Sequence, residues 1–504
     1  MPRRPSVLAA TGLTGLAVAA TVTATVTGVT GASAVQRADG KAMNIIYLLG
    51  DGMGTTHVDA ARIRYYGAHG QLNMERLPAR GNVRTWAVEK GSSKPAYVPD
   101  SAAAGTAWSS GVKTYNAAIG VNTYEKVVPT LMEQAHRVGM RTGNVSTAEI
   151  TDATPAAMMS HALLRGCQGP DYDQASCVPQ NDDGTFETPP NRLVVTPIAE
   201  QIARNNTADV IFGGGLARFE PDDQKVMESH GYTVLGSFGD ASKPVQDATT
   251  QQVATRTDLA NVHAKKVIGL FNRGNLTVEY SKARLPQTAP EKKEPSLAQL
   301  TRKSISLLEA NSGKKGFFLQ VEGALIDKRS HANDAAQTLG ETKAFDDAVK
   351  AATDFAKRDG HTLVIVTADH ECAGFNIIER GTYTNAEAAA PPVNVDSGNP
   401  ANNSTPTRPG SGALDPARSS GIINGAGSTD PKNFGPATFA TADDPKGTKD
   451  GTPEASLWLS YLSGNHTGQD VPLFAYGPGS ARFDSTVDNT QLYDYMHDLA
   501  KALN

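Results

Sequence analysis

A large α/β protein, built as a single domain on a mostly parallel, doubly wound sheet flanked by helices, is the fold class this sequence predicts. Three observations lead there. Short apolar or β-branched runs at residues 44–49, 141–146, 209–212, 266–271, 317–321, 362–367 and 471–476 alternate with amphipathic stretches at 130–138, 196–205, 296–310 and 339–358, the pattern of a parallel sheet wrapped by helices. Several polar clusters fall just after an apolar run, beyond the carboxyl ends of the strands, where such sheets bind ligands. No internal repeat is present, and 504 residues are enough for one large body.

At the N-terminus, Arg3 and Arg4 precede an apolar, Thr-rich stretch from Val7 to about Thr30, then Ala32, Ser33 and Ala34. Positive, apolar, then small-x-small is the order of a secretory signal, with cleavage expected after Ala34. A membrane anchor is the alternative, but Gly and Thr interrupt the stretch and no other apolar run reaches spanning length. The expected organisation is therefore a signal peptide at 1–34 and one large domain at 35–504, secreted, periplasmic or otherwise extracellular, without a stable membrane anchor. Flanking Pro2 and Pro5 leave the export route open between the general and the twin-arginine systems.

The formal net charge is −5, and no long basic run occurs, which argues against nucleic acid as a main partner. Losing residues 1–34 removes two arginines and no acid, moving the charge from −5 to −7. Of the three cysteines, Cys167 and Cys177 would close a short Pro/Gly-rich loop by a disulfide in an exported chain. Cys372 is then unpaired, and burial as a small apolar residue is its expected state.

The first strand runs into Gly50-Asp51-Gly52-Met53-Gly54. Glycines let the backbone approach a ligand closely, so Asp51 is either a ligand or a turn-capping acid. Residues 99–108 place Asp100 and Ser101 at the start of an Ala-rich helix. A helix N-terminus suits a phosphoryl oxygen, although either residue could serve as an N-cap alone. Ser101 needs a base or a metal to become a nucleophile, and no Gly-x-Ser-x-Gly surrounds it. After the next strand, Asp152 and Thr154 precede a helix expected to open at Pro155 and to end at Arg165.

Residues 321–334 hold Glu322, Asp327, Lys328 and His331. Asp327 and His331 are i and i+4, so on a helix they project from one face. That pair suits zinc, while a lone carboxylate such as Glu322 suits magnesium. Asp369 and His370 end the 362–367 run, and His466 sits in a Gly-rich loop before 471–476. Together the acids and histidines form the inventory of a multi-metal phosphoryl-transfer site, with Ser101 left over as nucleophile. Residues 382–453 depart from the pattern, being rich in Pro, Gly, Asn, Ser, Ala and Asp; they read as a surface insertion or a small irregular subdomain.

In this order, the blocks 44–54, 100–121, 146–169, 321–334 and 366–374 resemble the alkaline phosphatases, especially the bacterial secreted type. The most specific stretches are Asp-Ser-Ala-Ala-Ala-Gly-Thr-Ala-Trp-Ser-Ser-Gly-Val-Lys-Thr-Tyr-Asn (100–116) and Val-Glu-Gly-Ala-Leu-Ile-Asp-Lys-Arg-Ser-His-Ala-Asn-Asp (321–334). Sulfatases and phosphodiesterases of the same superfamily share metal ligands but not this whole set. The resemblance implies hydrolysis of small phosphomonoester substrates through a phosphoserine, at a site with two Zn²⁺ and one Mg²⁺ per subunit, with a homodimer as one possible assembly. It implies Ser101 as nucleophile; Asp327, His331 and His466 on the first zinc; Asp51, Asp369 and His370 on the second; and Asp51, Thr154 and Glu322 on magnesium. Arg165 would clamp phosphate, and Asp152 would orient it and a magnesium-bound water. Lys328 would touch phosphate through water, and a Cys167–Cys177 disulfide also matches the type. His466, 96 residues after His370 and across the insertion, is preferred over His361 because a Gly-rich loop carries it.

Overall fold

The computed structural model describes residues 43–243, 249–380, 438–462 and 464–501. The expected signal at 1–34 and positions 382–437 of the expected insertion lie outside them. A ten-stranded sheet forms the centre. Its strands are β1 (Asn44–Gly50), β2 (Ala79–Arg84), β3 (Arg141–Glu149), β4 (Val210–Gly214), β5 (Thr233–Leu235), β6 (Val267–Leu270), β7 (Phe317–Gly323), β8 (Thr362–Thr367), β9 (Val471–Tyr476) and β10 (Thr486–Asp488). Their spatial order is β10-β2-β9-β8-β1-β7-β3-β4-β6-β5.

Every residue of β1, β7 and β8 is buried. Strands covered on both faces read as continuous apolar runs rather than alternating ones, which is why these three stood out in the sequence. Ile45, Ile46, Leu48 and Leu49 are each at most 1 % exposed, and each contributes about 1.5–3 kcal/mol of burial. All seven expected runs are sheet strands. The unanticipated β2, β5 and β10 are short or polar: β2 (Ala-Arg-Gly-Asn-Val-Arg) has few apolar residues, and alternation half hides it.

One direction differs from a simple βα alternation. β9 runs antiparallel to both neighbours, β8 and β2, and the other strand pairs of the sheet are parallel. The sheet is therefore mostly parallel, as expected, with one strand reversed. Among the helices, α1 (Thr55–Tyr66), α2 (Ser101–Ser110), α3 (Ala153–Ala156), α4 (Leu297–Ser312), α5 (Leu325–His331) and α6 (Ala335–Asp359) follow strands or connect them. Asp100 caps α2 by accepting from the Ala103 amide, and Gly111 ends it at a left-handed φ of 76°.

The helix expected to reach Arg165 does not. α3 has one turn, Asp152 is its N-cap and Thr154 lies inside it. Ala162 pairs with Ile119 in an antiparallel bridge, which demands extended backbone and so ends helical structure well before Arg165. The Arg165 amide donates to Ala117 O at 2.7 Å, and the side chain thereby leaves a connecting loop rather than a helix end. Cys167 and Cys177 form a disulfide. No helix among the described residues is long and apolar enough to cross a membrane. The described tail of the 382–453 segment docks on α1: Thr438–Phe439 pairs with Leu457–Ser460, and Arg64 pairs with Asp450 at 2.6 Å.

Candidate active site

Four neighbouring strands, in the order β8-β1-β7-β3, run the same way. Their carboxyl ends supply almost every candidate residue, as a doubly wound sheet requires. β1 delivers Asp51, β7 delivers Glu322 and then α5, β3 leads to Asp152 and Thr154, and β8 leads to Asp369 and His370. His466 arrives from elsewhere, on the two-residue strand His466–Thr467 paired with Glu371–Cys372. It is thus in a strand, not in the loop expected. His361 is exposed and directly precedes β8, far along that strand from His370.

The turn after β1 has to be glycine. Gly52 has φ +69°, and a Cβ there would lie 2.8 Å from Asp327 Oδ1 and 2.8 Å from Cys372 Cβ. The bare backbone also lets the Gly52 amide donate to Asp369 Oδ1 at 3.0 Å. Asp369 Oδ1 takes a second amide, from His370, at 3.0 Å. Its other oxygen, Oδ2, faces His370 Nε2 at 3.1 Å.

Asp327, His331 and His466 form a tight triangle. Asp327 Oδ1 is 3.2 Å from His331 Nε2 and 3.4 Å from His466 Nε2, and the two Nε2 atoms are 3.1 Å apart. His331 Nδ1 lies 2.5 Å from Gly464 O and His466 Nδ1 lies 2.9 Å from Pro99 O. A carbonyl can only accept, so each Nδ1 carries the hydrogen and each neutral ring turns a bare Nε2 lone pair inward. Burial, first of all, pushes His331 down to about 3, so this ring stays neutral. Two lone pairs and a carboxylate oxygen facing one another repel unless a cation lies between them.

A second triangle adjoins it. His370 Nε2 is 3.1 Å from Asp369 Oδ2, 3.8 Å from Asp51 Oδ1 and 3.2 Å from Ser101 Oγ. Asp51 turns its other oxygen, Oδ2, to Thr154, whose hydroxyl donates at 3.4 Å. Glu322 lies beyond, in register with Ser146 on β3, and the Ser146 hydroxyl donates to it. Burial, then Asp369, Asp327 and Glu322, push Asp51 well above the usual carboxylate range. Burial likewise pushes Glu322 up to about 7. The pocket holds more negative charge than its own cations balance.

Those cations are Arg165 and Lys328. Arg165 donates from Nη2 to Asp152 Oδ1 at 2.9 Å and from Nη1 to Asp100 Oδ2 at 3.2 Å. Lys328 Nζ donates to Asp152 Oδ2 at 2.7 Å. Burial alone would raise Asp152, but Lys328 and Arg165 outweigh it and hold the carboxyl well below its usual range. Asp152 thus orients both cations, while Asp100 braces the guanidinium from the start of α2.

Three buried carboxylate oxygens, Asp51 Oδ1, Asp327 Oδ1 and Asp369 Oδ2, have no hydrogen-bond partner among the described residues. Leaving a buried charge-bearing oxygen bare is costly. Donors about 2.0–2.2 Å from a tetrahedral zinc stand about 3.3–3.6 Å apart, close to the 3.1–3.4 Å edges of the first triangle. The residues present therefore fit divalent cations. The third expected set of Asp51, Thr154 and Glu322 is oxygen-only, the donor chemistry of magnesium.

All twelve residues singled out in the sequence meet here. Sequence reading missed three neighbours. Asp100 was visible only as an N-cap, Ser146 carried no local signal beyond its place in a strand, and Cys372 was read as an apolar filler. Cys372 is buried, but it stands among Asp327, His331 and His466.

A family model described as alkaline phosphatase matches residues 42–502. The alkaline phosphatase of Escherichia coli is 41% identical over 351 residues, covering 66% of this chain and 70% of that protein. Alkaline phosphatase H of Pseudomonas aeruginosa is 34% identical over 494 residues, covering 92% and 86%. Among solved structures, the alkaline phosphatase from the Antarctic bacterium TAB5 superposes with a TM-score of 0.60 at 25% identity, covering 92% of this chain and 100% of that one.

Proposed function

The chain belongs to the alkaline phosphatase family and is a phosphomonoesterase, and from that premise we propose that it works through a phosphoserine formed on Ser101, at a site for two zinc ions and one magnesium. One observation carries the reading. Ser101 Oγ lies 3.2 Å from His370 Nε2, and Arg165 is braced beside it by Asp100 and Asp152. Nucleophile, ligand set and phosphate clamp therefore share one pocket.

Asp327, His331 and His466 would hold the first zinc, Asp51, Asp369 and His370 the second, and Asp51, Thr154 and Glu322 the magnesium. When bound, such ions supply Lewis-acid stabilisation to the serine oxygen and to the departing one, and acidify water. Ser101 Oγ bonds to phosphorus as the bond to the alcohol oxygen breaks on the opposite side, and the proton that Oγ loses ends, by way of solvent, on the departing alcohol. The amino end of α2 meets the phosphoryl oxygens with positive potential. Arg165 offers two parallel N–H groups to two of them, a geometry lysine cannot reproduce. Asp152 keeps that fork aimed, and Lys328 adds charge on the same side. Water then attacks phosphoserine in line, the P–Oγ bond breaks, and a water proton returns to Oγ as phosphate leaves. The disulfide and the N-terminal signal pattern support export from the cell.

Replacing Ser101 tests this directly. Ser101→Ala should abolish trapping of labelled phosphate on the protein and lower turnover on the order of 10³-fold or more. Wild-type turnover in that variant would refute the phosphoserine. Rates on p-nitrophenyl phosphate, its diester and its sulfate should rank the monoester first.

A further inference from the structure

We propose that Cys372 is a fourth protein donor, through Sγ, to the metal position framed by Asp327, His331 and His466. The inference rests on the metal reading just given and adds a residue to it.

Three placements lead there. Cys372 lies directly opposite His466 in the short antiparallel pair Glu371–Cys372 and His466–Thr467. Directly opposed residues project to the same side of such a ribbon, so the thiol and the imidazole face one space. The Cys372 amide donates to Gly52 O at 3.1 Å, and Sγ lies 3.7 Å from Asp327 O. The residue is therefore pinned between the turn bearing Asp51, the strand bearing His466 and the helix bearing Asp327 and His331. Its Sγ and the donor atoms of Asp327, His331 and His466 all lie within 4.8 Å of one another.

The surroundings are not those of an apolar filler. Asp327 is 2 % exposed, and its Oδ1, which has no hydrogen-bond partner among the described residues, points into the same space. That bare oxygen is an independent sign of a cation. A zinc–sulfur bond is about 2.3 Å, against about 2.0–2.1 Å to nitrogen, so sulfur can ligate from slightly farther out than the imidazoles. With a metal bound, the sulfur would donate as the thiolate, its proton released to solvent. Four protein donors still leave room for an oxygen of the substrate, since catalytic zinc expands to five ligands. A thiolate also biases the position toward zinc, cadmium or cobalt and away from magnesium.

Cobalt(II) reports on this without relying on activity. Because Cys167 and Cys177 are joined, Cys372 is the one thiol in the chain able to give a sulfur-to-cobalt charge-transfer band. The cobalt-loaded protein should show that near-ultraviolet band, and Cys372→Ser should lose it entirely while keeping the visible cobalt transitions. Should the variant fail to fold, X-ray absorption at the zinc edge of the unaltered protein should find a sulfur neighbour at about 2.3 Å. Only nitrogen and oxygen neighbours there would overturn the proposal. Cobalt-loaded protein that hydrolyses p-nitrophenyl phosphate without the band removes Cys372 from the set and leaves the proposed function standing. Failure to take up cobalt or zinc overturns both.

Discussion

Glu294 and Glu341 are buried carboxylates gathered with half-buried Glu279 around Lys282, much as Asp51, Asp327 and Asp369 are gathered beside Lys328. The oxygens in the two clusters are treated differently. Glu294 Oε1 accepts from Asn272 Nδ2 at 2.7 Å and from the Thr277 hydroxyl at 2.9 Å, and Oε2 accepts from the Thr277 amide at 2.8 Å. Glu341 Oε1 accepts from the Glu279 amide at 2.6 Å, and Lys282 Nζ sits 2.9 Å from Glu279. No buried oxygen of Glu294 or Glu341 lacks a partner among the described residues. In the other cluster each of Asp51, Asp327 and Asp369 keeps one oxygen bare. An acid cluster saturated by its own protein donors is scaffold, whereas one with bare oxygens turned toward imidazole nitrogens is built for a cation.

Removing metal should separate the two clusters most sharply. Chelation should abolish hydrolysis while circular dichroism at 25 °C changes little, and zinc with magnesium should restore activity. Loss of the whole fold on chelation would mean that the bare acids are structural as well. Next in size, Asp327→Asn should lower kcat on the order of 10³-fold, because one ligand oxygen becomes an amide. Arg165→Lys keeps the charge but loses the fork held by Asp100 and Asp152. A fall in kcat/KM of about 10²-fold is expected, with the KM for the monoester rising.

The saturated cluster should answer in stability instead. Glu294→Ala leaves the donors from Asn272 and Thr277 unpaired and Lys282 with Glu279 alone, costing about 3–5 kcal/mol in denaturant unfolding with kcat nearly unchanged. An equal loss of kcat would erase the distinction. The smallest effect belongs to pH. Burial pushes Glu341 up to about 7 from 4.5, so the folded chain keeps a proton that the unfolded chain has released. Its contribution therefore declines as pH rises from about 4.5 to about 7 and is level above. Glu341→Gln should remove that decline, at most about 3 kcal/mol across the window, measurable by unfolding at several pH values.

The legible parts of this molecule were those with a local cause. Buried strands such as Asn44–Gly50 and Phe317–Gly323 announce themselves because burial on both faces demands apolar runs. The polar edge strand Ala79–Arg84 could not, and neither could the reversal of Val471–Tyr476, since strand direction is set by the path of the connection. Asp327 and His331 were legible through helical spacing. The pairing of Arg165 with Asp100, 65 residues away, was not, and the helix expected to carry Arg165 was undone by the bridge from Ala162 to Ile119.

By itself the sequence determined the chemical inventory and its supports: the glycine turn at Asp51, the helix opening at Ser101, the acids and histidines, and the strands that end beside them. Tertiary structure decided which of those groups meet. It brought His466 rather than His361 to Asp327, turned the lone pairs of His331 and His466 inward through the carbonyls of Gly464 and Pro99, and moved Cys372 from filler to candidate ligand. The reason is physical. Local pattern governs backbone conformation and burial, but a metal or phosphate site depends on distances between side chains hundreds of residues apart, which only the packed sheet brings to a few ångströms.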